Sequence, residues 1–544
     1  MSLVKNVGTI GGLTAVSRVF GFVRDMLLSR ALGAGLAADA WQLAFTLPNT
    51  FRRLFAEGAF SVAFVPMYTR KLGATGDDDL SADEFATDVL SIFVWVLLAF
   101  SALCMIAMPG IVWALAREYQ EVPGKFDLAV TLSRITFPYL ALVSLVAMLS
   151  GVLNARSKFA PGAFVPVLLN IVLIGAILSG AAWRDRIGGG FVDFRITPKG
   201  GGDVSVAYAL AIGLATAGVF QLAYMWWSMR RAGVKLKVTT PRITPEVKRL
   251  GVLILPATFG AGIYQISQLV DTFFATSLPQ GSLTLLKFAD RLNQMPLGIF
   301  GIALGTAILP MLARHIQSDN RSEAQRLQAN AVEIGTLLTL PCAVALSICA
   351  EAFSTGLFQG GKMTLDDTLL MGQIVIALVA GLPAYVLIKV FQPAFFSRED
   401  TRTPVFVAAG ALAFNISLNF YVVPRYGIVG LAAATAISAS LNVITLCIIL
   451  QLRGWFRFTA KLASRIARQI AATAVMGAML WYLTPALMPF WTGNAFERVW
   501  SLLAITLAGA IVFFGAAFLL GALDKDLIAQ VRRRPAKKVV DLSE

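Results

Sequence analysis

Long stretches almost free of charge, broken by short polar connections, run the length of this chain. Apolar runs of about 17–25 residues recur, each long enough to cross a hydrocarbon core. Fourteen are legible, centred near residues 20, 52, 98, 140, 171, 218, 262, 298, 342, 380, 412, 440, 475 and 509. Within each run the hydrophobicity is continuous rather than alternating, which predicts helices and argues against a transmembrane barrel. The expected fold is an all-α polytopic membrane protein with 14 transmembrane helices.

The same pattern repeats within the chain. A stretch from Asp25 to Pro66-Met67-Tyr68-Thr69-Arg70 is matched by one from Asp271 to Pro310-Met311-Leu312-Ala313-Arg314, at offsets of 246 and 244. Pro138-Tyr139 leads Asn170 by 32 residues, and Pro383-Ala384-Tyr385 leads Asn415 by 32. Six helices per repeat is an even number, so both halves enter the membrane in the same sense. That predicts two six-helix lobes related by a pseudo-two-fold axis along the membrane normal. The expected division is an N-terminal lobe over 1–232, a cytoplasmic linker over 233–248 and a C-terminal lobe over 249–453. Two extra C-terminal helices follow over 454–523, then a basic tail over 524–544. The linker, with Pro241 and Pro245 among basic residues, reads as a hinge. The longest external connection, about 184–204, is Gly-rich.

Composition agrees with the pattern: of 544 residues, 57% are hydrophobic and 14% charged, and the mean hydropathy is +0.72. The formal charge of +15 changes the picture only through its placement. Basic residues collect in alternate connections, as in Arg70 and Lys71, Arg156 and Lys158, Arg230 to Arg249, Arg398 and Arg402, and Arg453 to Arg468. This is the positive-inside pattern, and it places both termini in the cytoplasm. The charge reads as an orientation signal and an anionic-lipid contact rather than a nucleic-acid surface. No cleavable leader is expected, because the first apolar stretch contains Arg18, Arg24 and Asp25. The four cysteines form no CxxC pair and read as packing residues.

The informative exceptions are charges inside the first two expected spans: Arg18, Arg24, Asp25, Asp39, Arg52 and Glu57. Each charge near a bilayer centre costs about 2.5–3.5 kcal/mol on insertion scales, so it needs water, a partner or a ligand. Arg18 and Asp25, seven residues apart, share a helix face with Gly21 between them, which leaves room for a ligand or a neighbouring backbone. Arg24 points about 60° away from Arg18 on the same wheel. Arg53 and Glu57 are spaced to pair within one helix. Pro48 precedes Arg52 by one turn and permits a bend. Lys287, Asp290 and Arg291 form a further polar turn, with Asp271 on the preceding span placed to face it. Two readings stand side by side: ion pairs between helices, favoured for Arg53–Glu57, Asp25 and Asp271, and ligand contacts, favoured for Arg18, Arg24, Arg52 and Arg291. The surplus of guanidinium groups suits an anion. Lys389 and Glu333 remain open between a structural and a functional role.

Other chemistry is poorly supported. Gly356-Leu-Phe-Gln-Gly-Gly361-Lys362 imitates a phosphate-binding loop, but Met363 stands where Ser or Thr is needed and no strand precedes it. His315 is the single histidine, so no metal site or proton relay of histidines is expected. No catalytic cluster is visible, and an enzyme is not expected.

Three segments are familiar: SRVFGFVRD (Ser17 to Asp25), GAGLAADAW (Gly33 to Trp41) and LPNTFRRLFAEGAFSVAFVP (Leu47 to Pro66). Together with FADRLNQMPLGIFGIALGTAILP (Phe288 to Pro310) and FFSREDTRTP (Phe395 to Pro404), they resemble the MurJ (MviN) family. The resemblance runs over nearly the whole chain. It implies a lipid II flippase of the multidrug/oligosaccharidyl-lipid/polysaccharide exporter superfamily, in the bacterial inner membrane. Such a protein moves undecaprenyl-diphosphate-linked disaccharide-pentapeptide from the cytoplasmic to the outer leaflet for peptidoglycan synthesis. By motif, the family's essential cavity arginines fall on Arg18, Arg24, Arg52 and Arg291, and Gly21, Asp39 and Glu57 match sensitive positions. Asp25, Arg53, Asp271 and Asp290 would support the cavity, and the last two spans would hold a groove for the lipid tail. Phe288 stands where a tyrosine often precedes Ala-Asp-Arg.

The implied partners are lipid II, membrane lipids and other cell-wall synthesis proteins, with no nucleic acid. No cofactor is expected; coupling to the membrane potential is, and whether a monovalent cation also binds, at an acidic residue such as Asp39 or Asp271, is left open by the sequence. The competing readings are a flippase for another undecaprenyl-diphosphate oligosaccharide and a multidrug/cation antiporter of the same superfamily. The antiporter should be acidic and aromatic where this chain is rich in arginine.

Overall fold

The computed structural model describes residues 3–53, 60–72, 79–186 and 204–523. Glu57, the core of the Gly-rich external connection and the basic tail from 524 lie outside the described residues. The first repeat supplies α1 (Leu3–Leu32), α2 (Leu36–Arg52), α3 (Ser61–Leu72), α4 (Asp79–Leu115), α5 (Lys125–Thr136), α6 (Tyr139–Ala155), α7 (Ala160–Arg186) and α8 (Val204–Arg231). Then come α9 (Pro245–Thr276), α10 (Ser282–Pro296), α11 (Ile302–Gln317), α12 (Arg321–Ile348), α13 (Ala350–Phe358), α14 (Leu365–Val379), α15 (Leu382–Phe396) and α16 (Arg402–Leu452). The chain ends in α17 (Ala460–Trp491) and α18 (Ala495–Leu519). Among the described residues the only strand-like pairing is one bridge, Gly360 to Met363. Nine stretches among them are long and apolar enough to cross a membrane.

A proline inside α2 and a glycine inside α16 each interrupt the regular helical pattern of hydrogen bonds or dihedrals. Pro48 cannot donate to Ala44, four residues earlier. The freed Ala44 carbonyl accepts instead from the Thr136 hydroxyl of α5 at 2.9 Å, so that carbonyl is not left unpaired. In α16, Gly427 takes φ 57°, ψ −138°, a conformation open in practice only to glycine. It divides one 51-residue element into two rods.

The chain forms two compact units. The first comprises Met1–Arg291, Phe358–Met371 and Leu412–Leu431. Its main core is an aromatic stack in which Phe60 lies 5.0 Å from Phe64 and 4.7 Å from Phe93, closed by Phe85, Leu149, Val152 and Met225. The connection after α8 adds Val234 and Leu236 to this core. The Lys235 N–H reaches Asp83, and the Thr239 N–H reaches Ser91 at 2.9 Å. The segment expected to be a hinge is therefore tied to α4 along its first half. Its prolines do another job: Thr244 caps α9, with Pro245 in the first turn where a missing N–H costs nothing.

The phosphate-loop imitation also belongs to the first unit from Phe358 onward. Lys362 N–H donates to the Arg30 carbonyl, and the Ser29 hydroxyl to the Phe358 carbonyl. Its glycines thus serve a close backbone approach to the end of α1. A Cβ on Gly361, whose φ is +58°, would meet the Arg30 carbonyl.

The second unit comprises Leu292–Leu357, Gly372–Ala411 and Ala432–Glu544. One core packs α11, α12 and α15 around Phe391 and Phe395, and another seats α17 and α18 through Met476, Leu480 and Ile505. Glu333 of α12 is part of that seat: Arg465 of α17 pairs with it at 2.6 Å, and Gln469 bridges the Glu333 carbonyl and the Thr336 hydroxyl.

Candidate functional site

In the first unit, α1 places Arg24 and Asp25 side by side in the packed interior. The Arg24 guanidinium wraps onto its neighbour, with Nε 3.0 Å and Nη2 2.7 Å from Asp25 Oδ1. Its Nη1 donates to Asn170 Oδ1 of α7 at 3.0 Å, and its Cζ lies 5.6 Å from the Phe45 ring centroid. Asp25 Oδ2 pairs with Arg291 Nε of α10 at 2.8 Å. One carboxylate therefore holds two guanidiniums. Asp25 and Arg24 side chains are 5% and 8% exposed, whereas Arg291 is 41% exposed. Arg24 is locked in place, and Arg291 is the more exposed of the two.

Gly21 explains how α7 comes so close. A Cβ there would sit 3.4 Å from Asn170 Nδ2, which itself donates to the Ser17 carbonyl at 3.1 Å. The room left by this glycine is filled by a neighbouring amide that orients Arg24. The helical wheel put Asp25 on Arg18's face. The structure joins Asp25 to Arg24 and Arg291, the former because a long arginine side chain can fold back along its own helix.

A second group adjoins Arg291. Lys287 is within electrostatic reach of Asp290 and Asp271, and also of Arg53 and Arg291. The structure thus brings Asp271 of α9 to the polar turn of α10. Arg53 at the end of α2 is exposed, Arg52 is half-buried, and Arg18 of α1 is exposed. Glu57, the expected partner of Arg53, lies outside the described residues. Among the described residues of this group, Arg24, Arg53, Lys287 and Arg291 stand against Asp25, Asp271 and Asp290.

Asp39 is a separate, closed arrangement. Its Oδ2 accepts from Lys125 Nζ at 2.9 Å and from the Gly281 N–H at 2.8 Å. Its Oδ1 accepts from the Thr284 N–H at 3.1 Å and hydroxyl at 2.8 Å. Four donors fill the carboxylate's acceptor sites, and the residue is 2% exposed. Asp39 caps the N-terminus of α10 and holds Lys125, whose ammonium lies 4.1 Å from the Tyr119 ring centroid. Nothing in this geometry leaves room for a ligand.

Sequence reading missed Lys125 as Asp39's partner and Asn170 as Arg24's. Lys125 lies 86 residues from Asp39 and follows a helix-starting glycine, where a lysine looks like an ordinary connection residue. Asn170 carried a signal only as a repeat marker. Among the described residues, no group of three His, Cys, Asp or Glu side chains comes together.

The arrangement sets two guanidiniums on a single carboxylate, one buried and fixed by Asn170 and one more exposed, and forked guanidiniums are groups with the chemistry to bind an anion. A family model described as lipid II flippase MurJ matches residues 28–501. The chain belongs to the MurJ family. A probable lipid II flippase MurJ of Rhizobium meliloti (strain 1021) is 40% identical over 542 residues, covering 98% of this chain and 97% of that protein. A solved lipid II flippase MurJ in an inward closed conformation shares the fold with TM-score 0.73 and 24% identity, over 95% of this chain and 99% of that one. An inward-facing multidrug resistance MATE family transporter of the MOP superfamily shares it with TM-score 0.64 and 14% identity, over 80% of this chain and 94% of that one. As a MurJ family member with many apolar helices, the chain is a multi-pass membrane protein.

Proposed function

We propose that this protein is a lipid II flippase, carrying the undecaprenyl-diphosphate-linked precursor of peptidoglycan from the cytoplasmic to the outer leaflet by alternating access. The Arg24–Asp25–Arg291 cluster carries this reading. In it the diphosphate takes over the two guanidiniums from Asp25 through forked, charge-assisted hydrogen bonds. Arg18 and Arg52 extend the clamp, and Arg53, Asp271 and Asp290 tune its charge. Asn170 keeps Arg24 oriented while Asp25 is displaced, so the site is set for the next cycle. A cationic site of this kind suits a phosphorylated lipid and opposes the organic cations of an antiporter.

The proposed topology is 14 crossings, with both termini in the cytoplasm of the bacterial inner membrane. Its support is the break at Gly427, since 51 residues of unbroken helix would run about 77 Å, far more than one bilayer. Helices α2, α10 and α11, of 17, 15 and 16 residues, are individually short. The proposal pairs α2 with α3, and α10 with α11 across the π-turn Leu297–Gly301. The lobes over 1–232 and 249–453 would be the moving parts, and 454–523 would hold the tail groove.

Energy enters through the substrate's charge. An anion leaving a negative interior moves downhill by about 2.3 kcal/mol per charge per 100 mV. A monovalent cation is the further coupling candidate. Asp39 is filled by its four donors, so the place for it is Asp271, which the repeat sets where Asp25 stands in the first half. The test is depletion of the protein followed by assay of which leaflet holds lipid II. Accumulation in the cytoplasmic leaflet is expected; undiminished export would overturn the assignment.

A further inference from the structure

We propose that the ends of α15 and α16, with the connection into α17, form a binding site for the phosphate of an anionic phospholipid in the cytoplasmic leaflet. The leaflet rests on the orientation proposed above; the site itself rests on the geometry of the second unit.

Two guanidiniums are fixed over one indole. Arg398 Cζ lies 4.6 Å and Arg453 Cζ 4.9 Å from the Trp455 ring centroid, and Trp455 packs edge-on to Phe395 at 5.7 Å. Arg398 Nη1 is held by the Ala394 carbonyl at 2.8 Å. Arg453 is held by Asp400 Oδ2 at 2.5 Å and by the Thr403 hydroxyl at 3.1 Å. Stacking and these bonds remove rotamer freedom before any ligand arrives, which lowers the cost of binding.

The local carboxylates leave a positive surplus. Asp400 is committed to Arg453 and to the start of α16, where it accepts from the Thr403 N–H and hydroxyl. Burial, and then the charge of Arg321, push the Arg398 pKa down. Arg321 has Asp319 at 3.6 Å, but both side chains are almost fully exposed, and such pairs are worth little. Glu399 points into solvent, as do Arg402, Arg457 and Lys461. Arg398, unlike Arg453, has no carboxylate at ion-pair distance among the described residues and is held only by a carbonyl and the indole, so it is the guanidinium open to an anion.

Exposed apolar side chains choose the anion's carrier. Phe396, Leu452 and Phe458 are 41%, 82% and 51% exposed and lie next to the basic residues in sequence. A free phosphate has no use for them; acyl chains do. Clusters of cations at the cytoplasmic ends of membrane helices match anionic headgroups.

The test is native mass spectrometry of the purified full-length protein with phosphatidylglycerol, phosphatidylcholine or inorganic phosphate. Preferential retention of phosphatidylglycerol is expected, falling about fivefold in Arg398→Gln and further in Arg398→Gln/Arg321→Gln. Arg398→Lys keeps the charge and should recover part of the loss, which separates binding from misfolding. Equal retention of the two phospholipids would overturn the proposal. So would displacement of phosphatidylglycerol by millimolar phosphate, which would mark a free-phosphate site. Either failure leaves the flippase assignment, tested by leaflet assay, untouched.

Discussion

Two buried carboxylates serve opposite purposes, and their partners show why. Asp39 is satisfied four times over and fixes α2, α5 and the start of α10 to one another. Removing its cation by Lys125→Met leaves a buried charge short of a partner, which typically costs about 3–5 kcal/mol. The melting temperature of the purified protein should drop by several degrees. In Asp39→Asn/Lys125→Met the loss should be smaller than the sum of the single losses, because the two charges are coupled. Asp25, by contrast, is shared between a fixed and a more exposed guanidinium. Arg24→Lys keeps the charge but loses the fork that reaches both Asp25 and Asn170, so it should support cell-wall synthesis only in part, read as growth in a depletion strain. Asp400 gives a pH prediction. Partial burial works against its charge, but the Thr403 hydroxyl and N–H and the Arg453 guanidinium outweigh that and hold its pKa at about 2, against an ordinary 3.8. Its contribution is present above the ordinary value and is lost as pH falls through 2. The near-ultraviolet signal of Trp455, isolated by comparison with Trp455→Phe, should hold from pH 7 to about 4 and change below that.

At the scale of elements, the apolar runs were legible because lipid demands them, and nine stretches among the described residues are long and apolar enough to cross a membrane. The finer structure was not, since it depends on contacts between distant positions. Pro48 announced a bend, but nothing local named Thr136 as the donor that rescues the Ala44 carbonyl. Thr136→Val should leave that carbonyl unpaired and lower stability by about 1–3 kcal/mol, measured by thermal denaturation in detergent. The linker looked like a hinge from its prolines and charges; the packing of Val234 and Leu236 and the Asp83 and Ser91 contacts tie its first half to α4. Likewise the glycines of 356–361 signalled close approach, but to the backbone of Arg30 and not to a phosphate. The arginines Arg24 and Arg291 were legible as candidates by their cost in the membrane. Their common partner was not, because a helical wheel places Cα positions and not the ends of long side chains.

At the scale of the whole molecule, membership of the MurJ family and the cationic cluster converge on transport of a phosphorylated lipid. If the substrate's negative charge drives its own exit, collapse of the membrane potential should lower outer-leaflet lipid II without altering protein abundance; an unchanged level would remove that coupling. The central claim is narrower and can be tested on purified protein. Binding of lipid II should weaken about tenfold or more in Arg24→Ala and in Arg291→Ala, since each loses a charge-assisted fork worth roughly 1.5–3 kcal/mol. Wild-type affinity in both folded variants would contradict the account.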